Sequence, residues 1–451
     1  MGENSFREDW SNNEREAQIV HSSHAIVSEG TEIQRFRLAS YTITKVGKMI
    51  PPRRPQFGIG RVVSSVFGPS YGISVKRVED AYAQAFGMPY AVLLPSCRAG
   101  ICWALEAKIT PGTPVLCTAY TCAVVREAIV RSGGQLCLVD IKEDGFLMDE
   151  EAVKPAQTGN YALVLCEIYG YTHDLSRIAR QATEAPSVRI VDMAMAVPTR
   201  EHFERLSDND FAVTSFGVGK CMYAGWGGMG LTRNGELAEM IREMRDSSVD
   251  RCSFIVLLRR CMQMMTKNLS NAPVAYGFVR TVKGIRNAVW RHSMPGSVKP
   301  MIKSVAHQPV SSKWYVPTTY IDRRLMLHNL KHTDQYENHK KALERRYDDN
   351  FEGIGGIIRP KPSDHVLSHY PIRVSSDVRP LLKRYLLKAG FDVETLYFFP
   401  SGFLKSDYPN ASRATVEVLD LPLYVKFSIS DVDRLCENIA CGIEHISKSY
   451  V

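Results

Sequence analysis

Lys220 stands where lysines are uncommon. The stretch FAVTSFGVGKCMYAGWGGMGLT (residues 211–232) reads as an apolar strand, a cramped turn of small residues ending at the lysine, and a glycine-rich return into a second short strand. Most lysines are solvated on helix surfaces. An amine held between two apolar strands is placed for chemistry, although glycine-flanked lysines also occur in ordinary turns. Its natural chemistry is nucleophilic attack on a carbonyl, which requires an amine of lowered basicity.

A partner of the right kind precedes it. Asp192 ends the buried stretch RIVDMAMAV (residues 189–197). A strand-end carboxylate and a later strand-end lysine are the minimal pair for pyridoxal phosphate. The lysine forms a Schiff base, and the carboxylate keeps the pyridine nitrogen protonated so that the ring acts as an electron sink. The phosphate then needs backbone N–H groups at a helix start, which SCRAGICWALEA (residues 96–107) supplies as it passes from strand into helix. Arg98 adds a charge-assisted bond and Ser215 a hydroxyl donor. Taken singly, Asp192 reads equally well as a helix cap and Ser215 as a strand-end turn. An arginine at a helix start opposes the dipole unless an anion sits there, which favours the phosphate.

The elements that must position these groups follow a regular rhythm. VKRVEDAYAQAFG (residues 75–87) has helical periodicity and closes at glycine. Apolar strands are expected at 90–96, 114–121, 135–141, 161–170, 189–197, 211–217 and 227–232, separated by amphipathic stretches. Near-continuous apolar strands alternating with helices predict an α/β fold, a mostly parallel sheet covered on both faces. Ligands bind such sheets at the carboxyl ends of the strands. Ser96–Arg98, Tyr120–Cys122, Glu167, Asp192 and Ser215–Lys220 all lie there, so they should converge on one edge.

Residues 251–310 break the rhythm with ten Lys or Arg and no acid. Phe254, Leu257, Leu258, Cys261 and Met265 fall at helical spacing, giving a basic amphipathic helix followed by less regular chain. The plain reading is a helix packed on its own domain or on a partner subunit. The sharper one is a lid or a peripheral membrane contact through 251–310. From about 320 a long helix (residues 322–351) leads into an α+β region, with strands at 368–375 and 391–399 and helices at 378–390 and 430–443.

Composition narrows the remaining classes. The 451 residues hold 45% apolar and 23% charged residues, as in ordinary globular domains. The longest apolar runs are too short to span a bilayer. The polar start MGENSFREDWSNNERE has no apolar signal core and fits the myristoylation pattern poorly, so a cytoplasmic protein is expected. Eleven cysteines without a CxxC pair suit buried thiols rather than disulfides or a metal site, and no metal is expected. The net charge of +8 comes with no nucleic-acid-binding signature.

The ordered set FGPSYG (67–72), SCRAGICWAL (96–105), AYTC (119–122), GGQLCLVDI (133–141), EIYGYTHDL (167–175), VDMAMA (191–196), SFGVGK (215–220) and GWGGMGLT (225–232) resembles the DegT/StrS family of pyridoxal-phosphate sugar aminotransferases. The likeness covers about residues 65–245 and returns weakly from 320 to the end. It implies the fold-type-I aminotransferase architecture, a large domain with a seven-stranded, mostly parallel sheet and a smaller C-terminal α+β domain. The expected layout is an N-terminal arm (1–50), the cofactor-binding domain (51–250), the basic insertion (251–319) and the small domain (320–451).

Carried over by position, Lys220 is the cofactor-bearing lysine and proton shuttle, Asp192 the pyridinium partner, and Ser215 with Cys97–Arg98 the phosphate cup. Tyr120 and Glu167 fall at substrate positions. Four residues depart from the family pattern. Arg98 replaces a threonine, Cys122 the aromatic that stacks on the ring, Met195 the glutamine that contacts the ring hydroxyl, and Glu167 a histidine. The resemblance implies a homodimeric transaminase moving an amino group, from glutamate, onto the keto group of a nucleotide-linked sugar. A deoxysugar dehydratase would carry histidine in place of Lys220. A cofactor-free, membrane-associated or regulatory binding protein is the rival from another class.

Overall fold

The computed structural model describes residues 48–68, 73–156, 159–182, 184–282 and 314–448. The expected N-terminal arm lies outside the described residues except at 48–50, as do residues 69–72 of FGPSYG. Strands β1 (Tyr90–Leu94), β2 (Pro114–Thr118), β3 (Gln135–Val139), β4 (Ala162–Cys166), β5 (Arg189–Asp192), β6 (Asp210–Ser215) and β7 (Gly228–Thr232) form one sheet in the order β1-β7-β6-β5-β4-β2-β3. Strands β2 to β6 pair in parallel, and β7 runs antiparallel to both β1 and β6.

Apolar runs form these strands because both faces of the sheet are covered. Val92, Leu94, Val115, Cys117, Ala162 and Val164 enter one core, while the alternate residues Ala91, Leu93, Leu116, Leu163 and Leu165 enter the other. Helices α1 (Ile59–Phe67), α2 (Val75–Phe86), α3 (Cys97–Glu106), α4 (Ala123–Arg131), α5 (Leu175–Gln181), α6 (Arg200–Glu204) and α7 (Gly235–Ser248) alternate with or flank the strands. Residues of α3, α4 and α7 join the first core, and those of α2 and α5 the second.

The basic segment opens as α8 (Phe254–Ser270), and residues 273–282 are again helical. Its remainder, 283–313, lies outside the described residues. The chain resumes with α9 (Tyr320–Leu330), α10 (Thr333–Asn350), β8 (Tyr370–Arg373), α11 (Val378–Lys388), α12 (Pro409–Glu417), β9 (Val418–Leu421) and α13 (Ile429–Lys448). Strands β8 and β9 pair antiparallel, and α10, α11 and α13 bury a third core against them, with Leu343, Leu382 and Ile439 fully enclosed.

Three expected elements differ. The single long helix at 322–351 is broken at Lys331–His332, because its halves serve different cores. Ile321, Leu325 and Met326 pack under the large sheet, whereas Leu343 and Tyr347 pack in the C-terminal core. The strand expected through 197 stops at Asp192, whose carboxylate takes the Ala194 N–H at 2.9 Å and turns the chain. Residues 391–399 make only isolated bridges, Ile50 with Phe391 and Glu394 with Asp420. There the Asp420 side chain takes the Leu396 N–H at 2.7 Å, a donor that a ladder would have used.

Burial lifts the Asp420 carboxyl from an ordinary 3.8 to about 7. The folded chain therefore holds a proton that the unfolded chain releases. The stabilisation is full below 3.8 and is lost as pH rises through about 7. Asp420→Asn cannot titrate. We expect its thermal midpoint to fall less steeply than the parent's across that window, and parallel curves would refute the assignment.

Candidate functional site

The carboxyl ends of the parallel strands do converge. Leu94 of β1 and Ser215 of β6 both lie opposite Gly228, Asp192 lies opposite Val213 and Cys166, and Lys220 follows five residues after Ser215. The turn carrying the lysine is closed by its own backbone. Lys220 N–H donates to the Gly217 carbonyl at 3.2 Å, and Ala224 N–H to the Phe216 carbonyl at 3.1 Å. Gly219 has φ +84°, and a Cβ there would collide with the Arg53 guanidinium. The glycine before the lysine therefore answers both backbone conformation and a neighbour.

Asp192 is buried at the bottom of this edge. Its Oδ1 accepts the Ala194 N–H at 2.9 Å and the Cys97 thiol at 3.6 Å, leaving Oδ2 without a hydrogen-bond partner among the described residues. Burial pushes the Asp192 carboxyl above its ordinary value, and the charge of Lys220 pulls it back. Burial, then Asp192, holds the Cys97 thiol well up, so it stays a proton donor. Lys220 Nζ lies 3.4 Å from the Met195 thioether.

Helix α3 starts beside this group. Ser96 caps it by accepting the Ala99 N–H at 3.2 Å. A Cβ on Gly228 would stand 2.8 Å from Cys97 N and 2.9 Å from the Thr214 carbonyl. The β7 backbone is thus pressed against the first N–H groups of α3, and the missing side chain is what permits it. Ser215 Oγ accepts the Gly217 N–H at 3.4 Å. Arg98 is turned toward Trp314, its guanidinium 5.7 Å from the ring centroid. Cys122 is exposed, just before α4.

Two expected substrate residues are elsewhere. Tyr120 is 2% exposed, its hydroxyl 3.0 Å from that of Tyr169 and its ring against Phe146 and Tyr397. An aromatic there fills core. Glu167 is 1% exposed and paired with Arg205, as a buried carboxylate must be.

A cavity of about 330 Å³ opens beside Lys220 and Gly219. Sequence reasoning did not find its other cations, Arg53, Arg54, Lys267 and Lys340. Lys340 is buried, donating to the carbonyls of Leu367 and Ser368 at 3.2 Å each and approaching Cys221 Sγ at 3.5 Å. Arg53 is held by Glu394 at 2.6 Å. Burial and the charges of Arg53, Lys340 and Lys220 hold the His369 imidazole well below its usual range, so it is neutral. These residues come from four distant parts of the chain. Only the proline-flanked Arg53–Arg54 pair carries a local signal, a stiff segment presenting two guanidinium groups.

A seven-stranded, mostly parallel sheet with a lysine and a buried carboxylate at its carboxyl edge is the arrangement of a fold-type-I, pyridoxal-phosphate-dependent enzyme. The profile of the DegT/DnrJ/EryC1/StrS aminotransferase family matches residues 60–272 and 321–440, and the chain belongs to that family. It is 26% identical over 392 residues to the spore coat polysaccharide biosynthesis protein SpsC of Bacillus subtilis, covering 82% of this chain and 90% of that one. Among solved structures it is similar to Spr1654 of Streptococcus pneumoniae, a proposed sugar aminotransferase, in its PMP form. The TM-score is 0.65 at 20% identity, covering 89% and 98% of the two chains. The sugar aminotransferase CalS13 of Micromonospora echinospora gives 0.61 at 19%, covering 88% and 100%. At these identities the structures show a shared fold.

Gly228→Ala tests the close approach of β7 to α3. The added methyl must push the first N–H groups of α3 out of place while the core stays intact. We expect a folded protein by circular dichroism whose dissociation constant for pyridoxal phosphate rises about tenfold or more. Unchanged affinity would show that this helix start holds no phosphate.

Proposed function

We propose that the chain transfers an amino group from glutamate to the keto group of a nucleotide-linked sugar, for polysaccharide or secondary-metabolite synthesis, and that it acts as a cytoplasmic homodimer. The observation that carries this reading is the placement of Lys220 between the buried Asp192 and a cavity rich in cations. The family supports the reaction class, and the names of SpsC and CalS13 support the sugar.

The residues present fit pyridoxal phosphate. Asp192 keeps one carboxylate oxygen without a hydrogen-bond partner among the described residues, and Gly228 puts no side chain of its own over the Cys97 N–H at the start of α3. Lys220 would hold the cofactor through Nζ, Asp192 would pair with its ring nitrogen, and the start of α3 with Ser215 would take its phosphate. Bound there, the cofactor supplies the electron sink that makes an α-proton removable.

The chain's own residues do the rest. Burial works against the charge of Asp192, and the cations of Lys220 and of the ring nitrogen would hold it ionised there. With its amine free, Lys220 Nζ would be the base that takes the proton from the donor's α-carbon and the acid that gives a proton back. Met195 leaves the amine free for this, since a thioether accepts only weakly. Arg54 and Lys267 give the cavity a positive field for the carboxylates of glutamate or a sugar's diphosphate, while Glu394 offsets the charge of Arg53. Neutral His369 adds no charge of its own to that field.

Lys220→Ala is the direct test. With pyridoxal phosphate added, the parent is expected to show a visible absorption band that bleaches with glutamate. The variant should show no lysine-bound band, and its amino transfer should drop by about a hundredfold or more. A variant with the parent's band would reassign the lysine.

A further inference from the structure

We propose that Cys97 is a positioning residue for the transfer reaction: its thiol holds one oxygen of Asp192 and so turns the other toward the place of the cofactor's ring nitrogen. The inference rests on the cofactor reading of Asp192 and adds what aims that carboxylate.

An aspartate side chain turns about two bonds, so burial by itself does not aim it. Two donors meet the same oxygen of Asp192. The Ala194 N–H reaches Oδ1 at 2.9 Å from the chain just beyond β5, and the Cys97 thiol reaches it at 3.6 Å from the start of α3. A single donor would let the group swing about that contact, whereas two from separate elements hold it. Among the described residues nothing donates to Oδ2, which is the oxygen left for a cation.

The neighbours of Cys97 are committed elsewhere. Ser96 caps α3 through the Ala99 N–H and donates to the Trp314 carbonyl at 3.2 Å. The Arg98 guanidinium lies over the Trp314 ring. Of these three residues, Cys97 is the one whose side chain reaches Asp192. Its backbone N–H meanwhile faces Gly228, where an added Cβ would stand 2.8 Å from the nitrogen. One residue therefore serves both ends of the cofactor, its N–H at the phosphate end and its thiol at the ring end.

A thiol at a helix start is ordinarily acidified by its setting, and a thiolate there would repel Asp192. Here burial, then the charge of Asp192, holds the Cys97 thiol well above its usual range against the pull of Lys220 and Arg98. It stays an S–H, and beside a carboxylate an S–H can only donate. The bond in turn favours the charged carboxylate, which burial opposes and Lys220 and the Ala194 N–H support.

Cys97→Ala and Cys97→Ser separate aiming from filling. A thiol that merely filled space would be replaced well by alanine and badly by an idle buried hydroxyl. A thiol that aims Asp192 reverses that order. We expect both variants to bind pyridoxal phosphate within about threefold of the parent. When Asp192 pairs less firmly, the ring nitrogen gives up its proton more easily and the lysine-linked nitrogen becomes more basic. The pH midpoint of the visible band should therefore rise by about half a unit in Cys97→Ala, and Cys97→Ser should recover most of that shift. A second measurement needs no cofactor. In the cofactor-free chain at pH 9, Cys97 of Asp192→Asn should react with iodoacetamide about threefold or more faster than Cys97 of the parent, followed by peptide mass spectrometry. Equal alkylation rates would overturn the contact, and a Cys97→Ala midpoint at the parent's value would overturn its role. A parent that takes up no pyridoxal phosphate would overturn the cofactor reading and this role with it, while the alkylation rates still decide the contact.

Discussion

A carboxylate sealed at the end of a buried strand is costly unless a cation faces it, and Asp192 depends on Lys220 for that. The dependence explains the local architecture. The lysine must reach back from the next strand's loop, so the loop is short, closed by its own hydrogen bonds, and built on a glycine with positive φ. Parallel pairing of β5 with β6 sets the two strand ends side by side. The antiparallel return of β7 then brings Gly228 against the first turn of α3. Sulfur surrounds this pair where oxygen and nitrogen are usual: Cys97 donates to Asp192, and Met195 faces Lys220. Thiols and thioethers are weak hydrogen-bonding groups, so the pair must rely chiefly on charge and on the helix terminus.

The sheet was legible because a strand buried on both faces needs apolar residues at every position, a local demand that any single strand displays. The same demand made Asp192 and Lys220 visible as exceptions to it. What a local pattern cannot carry is which residues distant in sequence meet. Arg53, Lys267, Lys340 and His369 reach one cavity from the chain start, α8, α10 and the approach to β8. Each alone looks like a surface cation or a core histidine. Tyr120 misled for a related reason. Its place after a strand implied the open edge, but its ring completes an aromatic cluster with Phe146, Tyr169 and Tyr397. The break at Lys331–His332 is likewise invisible locally, since helical periodicity continues through it, and it exists because two cores lie on either side.

Helix α8 turns Lys267 toward the cavity and Phe254 and Leu258 outward, and its buried polar residue holds it in that orientation. Arg260 is 5% exposed, lies 3.3 Å from the fully buried Asp322 of α9, and sits 5.2 Å from the Trp226 ring centroid. A buried ion pair adds little net stability, because desolvation consumes most of its Coulomb energy. It does fix geometry, since any slip of α8 along α9 would strand two charges in the core. Asp322 also takes the Thr319 N–H at 2.7 Å, tying the same carboxylate to the start of α9. The apolar contacts of Leu257, Cys261 and Met264 could tolerate a shift of one turn; the Arg260–Asp322 pair cannot. That pair sets which side of α8 faces the cavity, with Lys267, and which side carries Phe254 and Leu258 outward.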